Sequence, residues 1–407
     1  MNENVARSGF LEIAANGGDT IVERAAALGA QLSSGSADRD RSRKIAFDEF
    51  KTLVSTGILA ARVPAEFGGP EVSFLDFAKA FVHLGAGDPN VAQAVLPHAC
   101  LMEKVRIYGS KEQQRRISEE MLAGKLITNA SAERTGKVVG EIQTHIARRG
   151  NGYVLNGRKY YCTGSAFADA FFVLALADTG GRALVILPRD RAGLTVVDDW
   201  DGMGQRTTAS GTVSFDNVEF DESELILLKN FGVRPTHEGG LAQLLHSAID
   251  AGIAQAAFDD ALKYGRSGAR PVSESGHVRA GDDPYVQHTI GHMAMLVHSA
   301  IGLVERAGSS LDRAVKVFFS GEDSAAIIGA TSVDVAEAKM ASEYASLEVS
   351  EMIFRIGGAS ATSSKLNFDR HWRNARTHTT HDPVAYKAKV VGDFYLNGRM
   401  PPINTKY

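Results

Sequence analysis

The chain is poor in cysteine. Cys100 and Cys162 are the only two among 407 residues, and they form neither a Cys-x-x-Cys pair nor a disulfide framework. That excludes a small secreted scaffold and suits a reducing, cytoplasmic compartment. Long hydrophobic runs are absent too. The longest uninterrupted apolar stretch, Ala170 to Ala177, falls far short of the roughly 18 residues that a membrane span needs. Residues 1–19 contain no apolar leader segment, so no secretory signal is expected. Neither sign of charge dominates: 44 Lys and Arg stand against 48 Asp and Glu. A mildly acidic chain lacks the electrostatic footprint of a nucleic-acid binder. Several nucleotide and hydrolase motifs are missing as well. Gly202-Met203-Gly204 stops short of a dinucleotide fingerprint because Thr207 stands at the third glycine position. There is no P-loop and no Gly-x-Ser-x-Gly elbow.

What remains has the composition of an ordinary globular protein, 44% apolar and 23% charged, long enough for two or three domains. The texture changes twice along the chain. Residues 1–125 read as helical. Phe47, Phe50, Leu53 and Val54 recur at helical spacing, Ser73 and Ser110 sit three residues before Asp76 and Gln113 in capping positions, and Val63–Pro70 is a turn. Residues 126–236 read as short strands, Tyr153–Leu155, Phe171–Ala177, Ala183–Leu187, Leu194–Val197 and Thr212–Phe215, separated by Asn-Gly and Gly-Gly turns. Residues 237–407 return to long helices, Gly239–Arg266, Pro284–Lys316 and Ser324–Arg355, the last ending at Gly357-Gly358. Asp382-Pro383 has the chemistry of an N-cap and first turn, opening a final helix to about Tyr395.

The strongest local oddity is the histidine cluster His371, His378 and His381, flanked by Asp369 and Asp382. It lacks the Glu of a zinc-binding helix, so no metal site is expected. The open readings are a polar loop of surface histidines or a loop lining a small-molecule site.

Several segments, taken in order, resemble the acyl-CoA dehydrogenase superfamily over nearly the whole length. They are Val63–Gly69, Tyr153–Lys159 followed by Thr163–Asp169, Gly202–Ser210, and Val213–Val218. The resemblance implies an α+β multidomain fold: an N-terminal helical domain, a middle antiparallel β-barrel and a C-terminal four-helix bundle. It also implies a bound flavin and a homotetramer. One feature of the family is missing. Dehydrogenation next to a thioester needs a carboxylate base, and no Glu stands between Gly357 and Pro383. The string from His371 to Pro383, with Ala269-Arg270-Pro271 and Asp282–Val286, is similar instead to the flavin-dependent monooxygenase branch.

Enzymes of that branch take reduced flavin, usually FMN with FAD as the alternative, from a separate NAD(P)H:flavin reductase. They use O2 to form a C4a-peroxyflavin and oxygenate a small, often sulfur-containing, molecule. The resemblance implies catalytic roles for His381, His378 and His98. It implies flavin contacts for Asn129 and Thr163, with Arg270 holding the flavin phosphate from a neighbouring subunit and Arg370 adding positive charge. Three other readings stay open at this point: an acyl-CoA dehydrogenase or oxidase with a relocated base, an N- or C-hydroxylase of the same branch, and a silent scaffold.

Overall fold

A computed structural model describes residues 20–178, 180–404 and 406. Residues 1–19, and the expectation about a leader, lie outside the described residues. The described residues open with five α-helices: α1 (Ile21–Ser42), α2 (Phe47–Ser55), α3 (Phe74–Gly87), α4 (Pro89–Tyr108) and α5 (Lys111–Leu122). Four of these five starts carry a side-chain cap, and α2 has none. Ser73 accepts from the Asp76 amide, and Ser110 and Gln113 cap each other reciprocally. Asp88 caps α4 with Pro89 in the first turn, so the helix begins well before Pro97, which lies inside it. His98 is therefore a mid-helix residue.

Eight strands follow: β1 (Ile127–Ala130), β2 (His145–Arg149), β3 (Gly152–Lys159), β4 (Ala170–Leu176), β5 (Arg182–Pro188), β6 (Leu194–Val197), β7 (Thr212–Phe220) and β8 (Leu225–Leu227). They form one sheet in the order β6-β7-β3-β2-β4-β5-β8, with β1 attached to β4. The expected all-antiparallel pattern is broken at two pairings. β1 runs parallel to β4, and β2 meets β4 parallel at His145↔Leu176. Neither pair is joined by a tight hairpin, and long connections permit the parallel direction. The apolar run on β4 has a reason. Phe171, Val173 and Ala175 fill the core of the sheet domain, while Ala170 and Phe172 pack against Met102, Val105, Ile117 and Met121 of α4 and α5. A strand covered on both faces reads as continuous apolar sequence.

The last region holds α6 (Glu238–Ser267), α7 (Pro284–Ser320), α8 (Ala325–Gly357), α9 (Asp369–Thr379) and α10 (Ala385–Asn397). α6, α7 and α8 pack with α3 around one apolar core. The crossing of α3 and α6 is close because both carry glycine. A Cβ on Gly252 would fall 2.5 Å from Val82 O. Two expectations fail here. Residues 369–379 are helix rather than loop. Asp382 does not cap the last helix, which starts at Ala385 without a side-chain cap. Its carboxylate turns inward to Gln243 instead.

A buried ionic knot ties α4 to the start of α6. Glu103 is fully buried, 2.6 Å from Arg62 and 2.9 Å from His237. Burial would push its carboxyl up. The Arg62 guanidinium and His237 outweigh that and hold it well below the usual carboxylate range. Removing one partner of such a pair strands the other charge. Glu103→Ala is expected to lower stability by roughly 3–5 kcal/mol, read as a fall in the urea midpoint.

Candidate functional site

Polar side chains inside apolar helices are costly unless they bond to one another, and here they converge. Gln243, His246 and Asp250 lie at helical spacing on one face of α6, all buried. Asp250 Oδ2 is 2.6 Å from Lys339 Nζ on α8. Asp250 Oδ1 is 2.5 Å from His378 Nδ1 on α9. His378 Nε2 lies 2.9 Å from both Gln93 Oε1 on α4 and His246 Nδ1. The His246 ring lies against the His381 ring, with centroids 4.2 Å apart. His381 Nδ1 is 3.2 Å from Asp382 Oδ2, which also accepts from Gln243 at 2.6 Å. The result is a polar relay from Lys339 to Asp382, linked by hydrogen bonds except at the His246–His381 ring contact. His381 is half exposed at its outer end.

The electrostatics follow from burial. Burial would raise Asp250, but Lys339 and then His378 hold its carboxyl low. Burial pushes His378 below the usual imidazole range, against the pull of Asp250. His246 is driven well below that range by burial and by its neighbours His381 and His378. Lys387 on α10 is pushed down to about 8 by burial. The inner histidines are thus neutral rings beside one fixed carboxylate.

The sheet domain closes over this relay through one turn. Gly204 N donates to Thr377 Oγ1 at 3.0 Å, Gln205 N to Asn374 Oδ1 at 2.7 Å, and Thr207 N to Asn90 Oδ1 at 3.1 Å. The fit needs glycine at 204, where a Cβ would fall 1.9 Å from Arg373 O. Gln205 and Ala209 have positive φ, 51° and 49°, a strained state for these residue types that clusters at functional sites. Thr163 Oγ1 is 2.9 Å from Ser210 Oγ. The adjacent Gly164 lies against Ala94 O, next to Gln93 on α4. So α4 places the Thr163 turn beside the histidine relay.

Five buried polar atoms in these elements have no partner: Asn129 Oδ1, both ends of the Gln205 amide, Thr207 Oγ1 and Gln243 Oε1. Buried polar atoms are normally paired, so these are left able to bond a polar-edged ligand. The mixed acceptors and donors match the carbonyl and N–H edge of a flavin ring.

The structure sorts the expected residues. His378 and His381 meet in the relay, Thr163 lies in the turn that packs on α4, and Asn129 lies on β1 with its side-chain oxygen unpartnered. His98 does not belong. It is buried, its Nε2 donates to Leu59 O at 2.7 Å, and its Nδ1 accepts from Ile127 N at 3.1 Å. With both ring nitrogens used, it pins α4 to β1 and has none left for a ligand. The Arg370 guanidinium is committed to Asp260 at 2.7 Å and Asn367 O at 3.0 Å. It lines a cleft of about 670 Å3 bounded by Asn90, Ile253, Asp260, His371 and Asn374. Asn90, Ile253 and Asn374 lie within one helical turn of Gln93, Asp250 and His378. Arg270 is exposed, with its guanidinium 3.5 Å from Ser360 Oγ. Gln93, Gln243, His246, Asp250 and Lys339 escaped the sequence reading. Their signal was available: polar residues at helical spacing within apolar helices. Among the described residues, no group of three or more His, Cys, Asp or Glu is arranged to hold a metal.

Comparison with known proteins agrees with this layout. The acyl-CoA dehydrogenase N-terminal, middle and C-terminal domain families match residues 22–125, 128–218 and 244–385. The chain is 31% identical over 382 residues to dibenzothiophene monooxygenase of Rhodococcus qingshengii, covering 89% of this chain and 90% of that one. It is 28% identical over 386 residues to the probable FMNH2-dependent monooxygenase SfnC of Pseudomonas putida, covering 92% and 94%. The FMN-bound crystal structure of TdsC from Paenibacillus sp. A11-2 superposes with a TM-score of 0.89 at 28% identity, covering 95% and 100%.

Two buried histidines set an acid limit on stability. Burial pushes both His98 and His371 down to about 4. In the unfolded chain an imidazole titrates near 6.5, so the unfolded state binds more protons between those values. Stability is full above about pH 6.5 and declines toward pH 4, by roughly 3 kcal/mol for each ring. Urea midpoints measured from pH 7.5 to 4.5 are expected to fall, and His98→Gln is expected to flatten the slope.

Proposed function

The chain belongs to the acyl-CoA dehydrogenase family, and on that premise we propose that it is a flavin-dependent monooxygenase acting on a sulfur-containing substrate. Reduced FMN comes from a separate NAD(P)H:flavin reductase, and O2 is the co-substrate. One observation carries the reading: a buried relay of neutral histidines lies along the stretch where no Glu base is available. The relatives named above as dibenzothiophene and FMNH2-dependent monooxygenases support it, as does the FMN-bound structure. The two buried free cysteines fit a cytoplasmic enzyme.

When bound, reduced flavin supplies the oxygen activation. The protein's part is to hold the ring, exclude water and manage protons. The unpartnered atoms of Asn129, Gln205 and Thr207, with the Thr163–Ser210 hydroxyl pair, offer hydrogen bonds to the polar edge of the ring. His381, half exposed and held by Asp382, exchanges protons with solvent at the mouth. His246 and His378 hold them inside. His98 and Arg370 act indirectly, by fixing α4 and the Asp260 side of the cleft.

Arg270 acts on the flavin phosphate of a neighbouring copy in a homotetramer. Exposed Tyr285, Met295, Tyr344, Tyr386, Tyr395 and Leu396 on α7, α8 and α10 support such an assembly. Arg suits a phosphate because its planar fork pairs two oxygens.

The whole reading is tested by loading the protein anaerobically with reduced FMN, adding O2, and following oxygen incorporation into dibenzothiophene and smaller sulfur compounds. Product is expected. Turnover of acyl-CoA thioesters with an artificial electron acceptor and no oxygenation would overturn it.

His381→Ala is expected to fold with an unchanged melting temperature and to lose product per flavin oxidised. The loss of acid–base help amounts to a factor on the order of 10²–10⁴ in rate. Arg270→Ala is expected to weaken reduced FMN about 10- to 150-fold while leaving reduced riboflavin unaffected, because a charge-assisted phosphate contact contributes roughly 1.5–3 kcal/mol. Equal losses for the two flavins would take Arg270 off the phosphate.

A further inference from the structure

Oxygenation by a reduced flavin consumes and releases protons, and His378 is packed in a way no sequence motif announces. Resting on the monooxygenase reading, we infer that Asp250, Lys339, His246 and Gln93 make His378 a reversible proton store. Asp250 keeps a proton on Nδ1 in both charge states, so that only Nε2 changes.

The geometry carries this in three steps. First, a carboxylate only accepts hydrogen bonds. Asp250 Oδ1 lies 2.5 Å from His378 Nδ1, so Nδ1 must carry hydrogen. Lys339, 2.6 Å from the other carboxylate oxygen, keeps Asp250 ionised although it is fully buried. Second, with Nδ1 protonated, the neutral ring leaves a lone pair on Nε2. His246 Nδ1, 2.9 Å away, is placed to donate into it. Third, when the ring takes a second proton, Nε2–H needs an acceptor, and Gln93 Oε1 stands 2.9 Å away. A carboxamide serves both states, by its oxygen or, after a half-turn, by its NH2.

Uptake is then a balanced shift along the relay. An O–H bond of a hydronium ion breaks to leave water as an N–H bond forms at His246 Nε2, the N–H bond at His246 Nδ1 breaks, and one forms at His378 Nε2. The imidazolium left at His378 sits against the Asp250 carboxylate. Release runs the same steps backward. The groups that face His378 have opposing effects. Asp250 on α6 favours the charged ring, while Lys339 on α8 and His381 in the turn oppose it. Lys387 on α10 acts one step further out, on His246. A store between opposed charges gives up its proton easily. That distinguishes it from a histidine locked by a carboxylate alone. Asp250 and Lys339 are positioning residues here.

The first test reads the ring itself and needs neither flavin turnover nor substrate, so its outcome stands apart from the fate of the monooxygenase reading. Protein labelled with 13C and 15N in histidine is studied by NMR, with the His378 signals identified by their loss in His378→Gln. At pH 7 the wild-type ring is expected to be neutral, with hydrogen on Nδ1. Asp250→Asn removes the favourable charge and is expected to lower the His378 titration midpoint. Lys339→Met removes the opposing charge and is expected to raise it. Each shift should be roughly one to three pH units.

A wild-type ring with hydrogen on Nε2 alone, or shifts of the same sign in both variants, would overturn the inference. If Asp250→Asn does not fold, the wild-type tautomer and Lys339→Met decide. In the holoenzyme with reduced FMN and dibenzothiophene as probe, His246→Asn is expected to lower kcat with KM unchanged. Wild-type kcat in that variant would also overturn the inference.

Discussion

Asp250 carries a negative charge in the middle of a helical core, and the arrangement around it follows from that fact. A buried carboxylate is tolerated only when opposite charge and hydrogen bonds replace the lost water. Lys339 supplies the charge from α8, and His378 supplies the second bond from α9. Neither partner could be removed without leaving the other exposed to the same penalty. The ion pair therefore fixes the relative placement of α6, α8 and α9, the three helices that frame the histidines. A purely apolar core of the same volume would pack as well but would hold no ring in one orientation.

The second constraint is the shared wall formed by α4. Its apolar side faces the sheet, with Met102 and Val105 packed on Phe172 of β4. Its polar positions, Asn90 and Gln93, face the turn after β6 and the His378 ring. One helix thus sets the distance between the two halves of the site. His98 secures it at β1 through two backbone bonds, and Glu103 secures it at the start of α6. Several residues that hold the site in shape, His98 and Glu103 among them, are fully buried and take no part in touching a ligand. That is the usual support a preorganised site requires.

Much of the fold was legible in the sequence because it is written in short-range chemistry. The Ser73 and Ser110 caps, the Gly357-Gly358 stop and the three long C-terminal helices depend on a few neighbouring residues. The helix over 369–379 was not legible. Its polar composition reads as loop, and what stabilises it lies elsewhere in the chain. Arg373 bonds Asp40 on α1, and Asn374 receives the amide of Gln205. Asp382 was misread for the same reason. Next to Pro383 its local chemistry is that of a cap, and the stronger claim on its carboxylate comes from Gln243, far away in sequence.

The sequence by itself determined the family layout, the absence of a Glu base between Gly357 and Pro383, and the histidine-rich stretch that stands there. These are properties of composition and local order, which the residues carry wherever they are placed. Only the tertiary structure decided which histidines work together. His98 and His378 carry the same expectation in the sequence, each a histidine to which the family resemblance gives a catalytic role. One is consumed by the Leu59 carbonyl and the Ile127 amide. The other is gripped by Asp250 and left with a shared nitrogen. The difference is long-range: hydrogen-bond partners more than a hundred residues apart meet around His378 only when α6, α8 and α9 have packed.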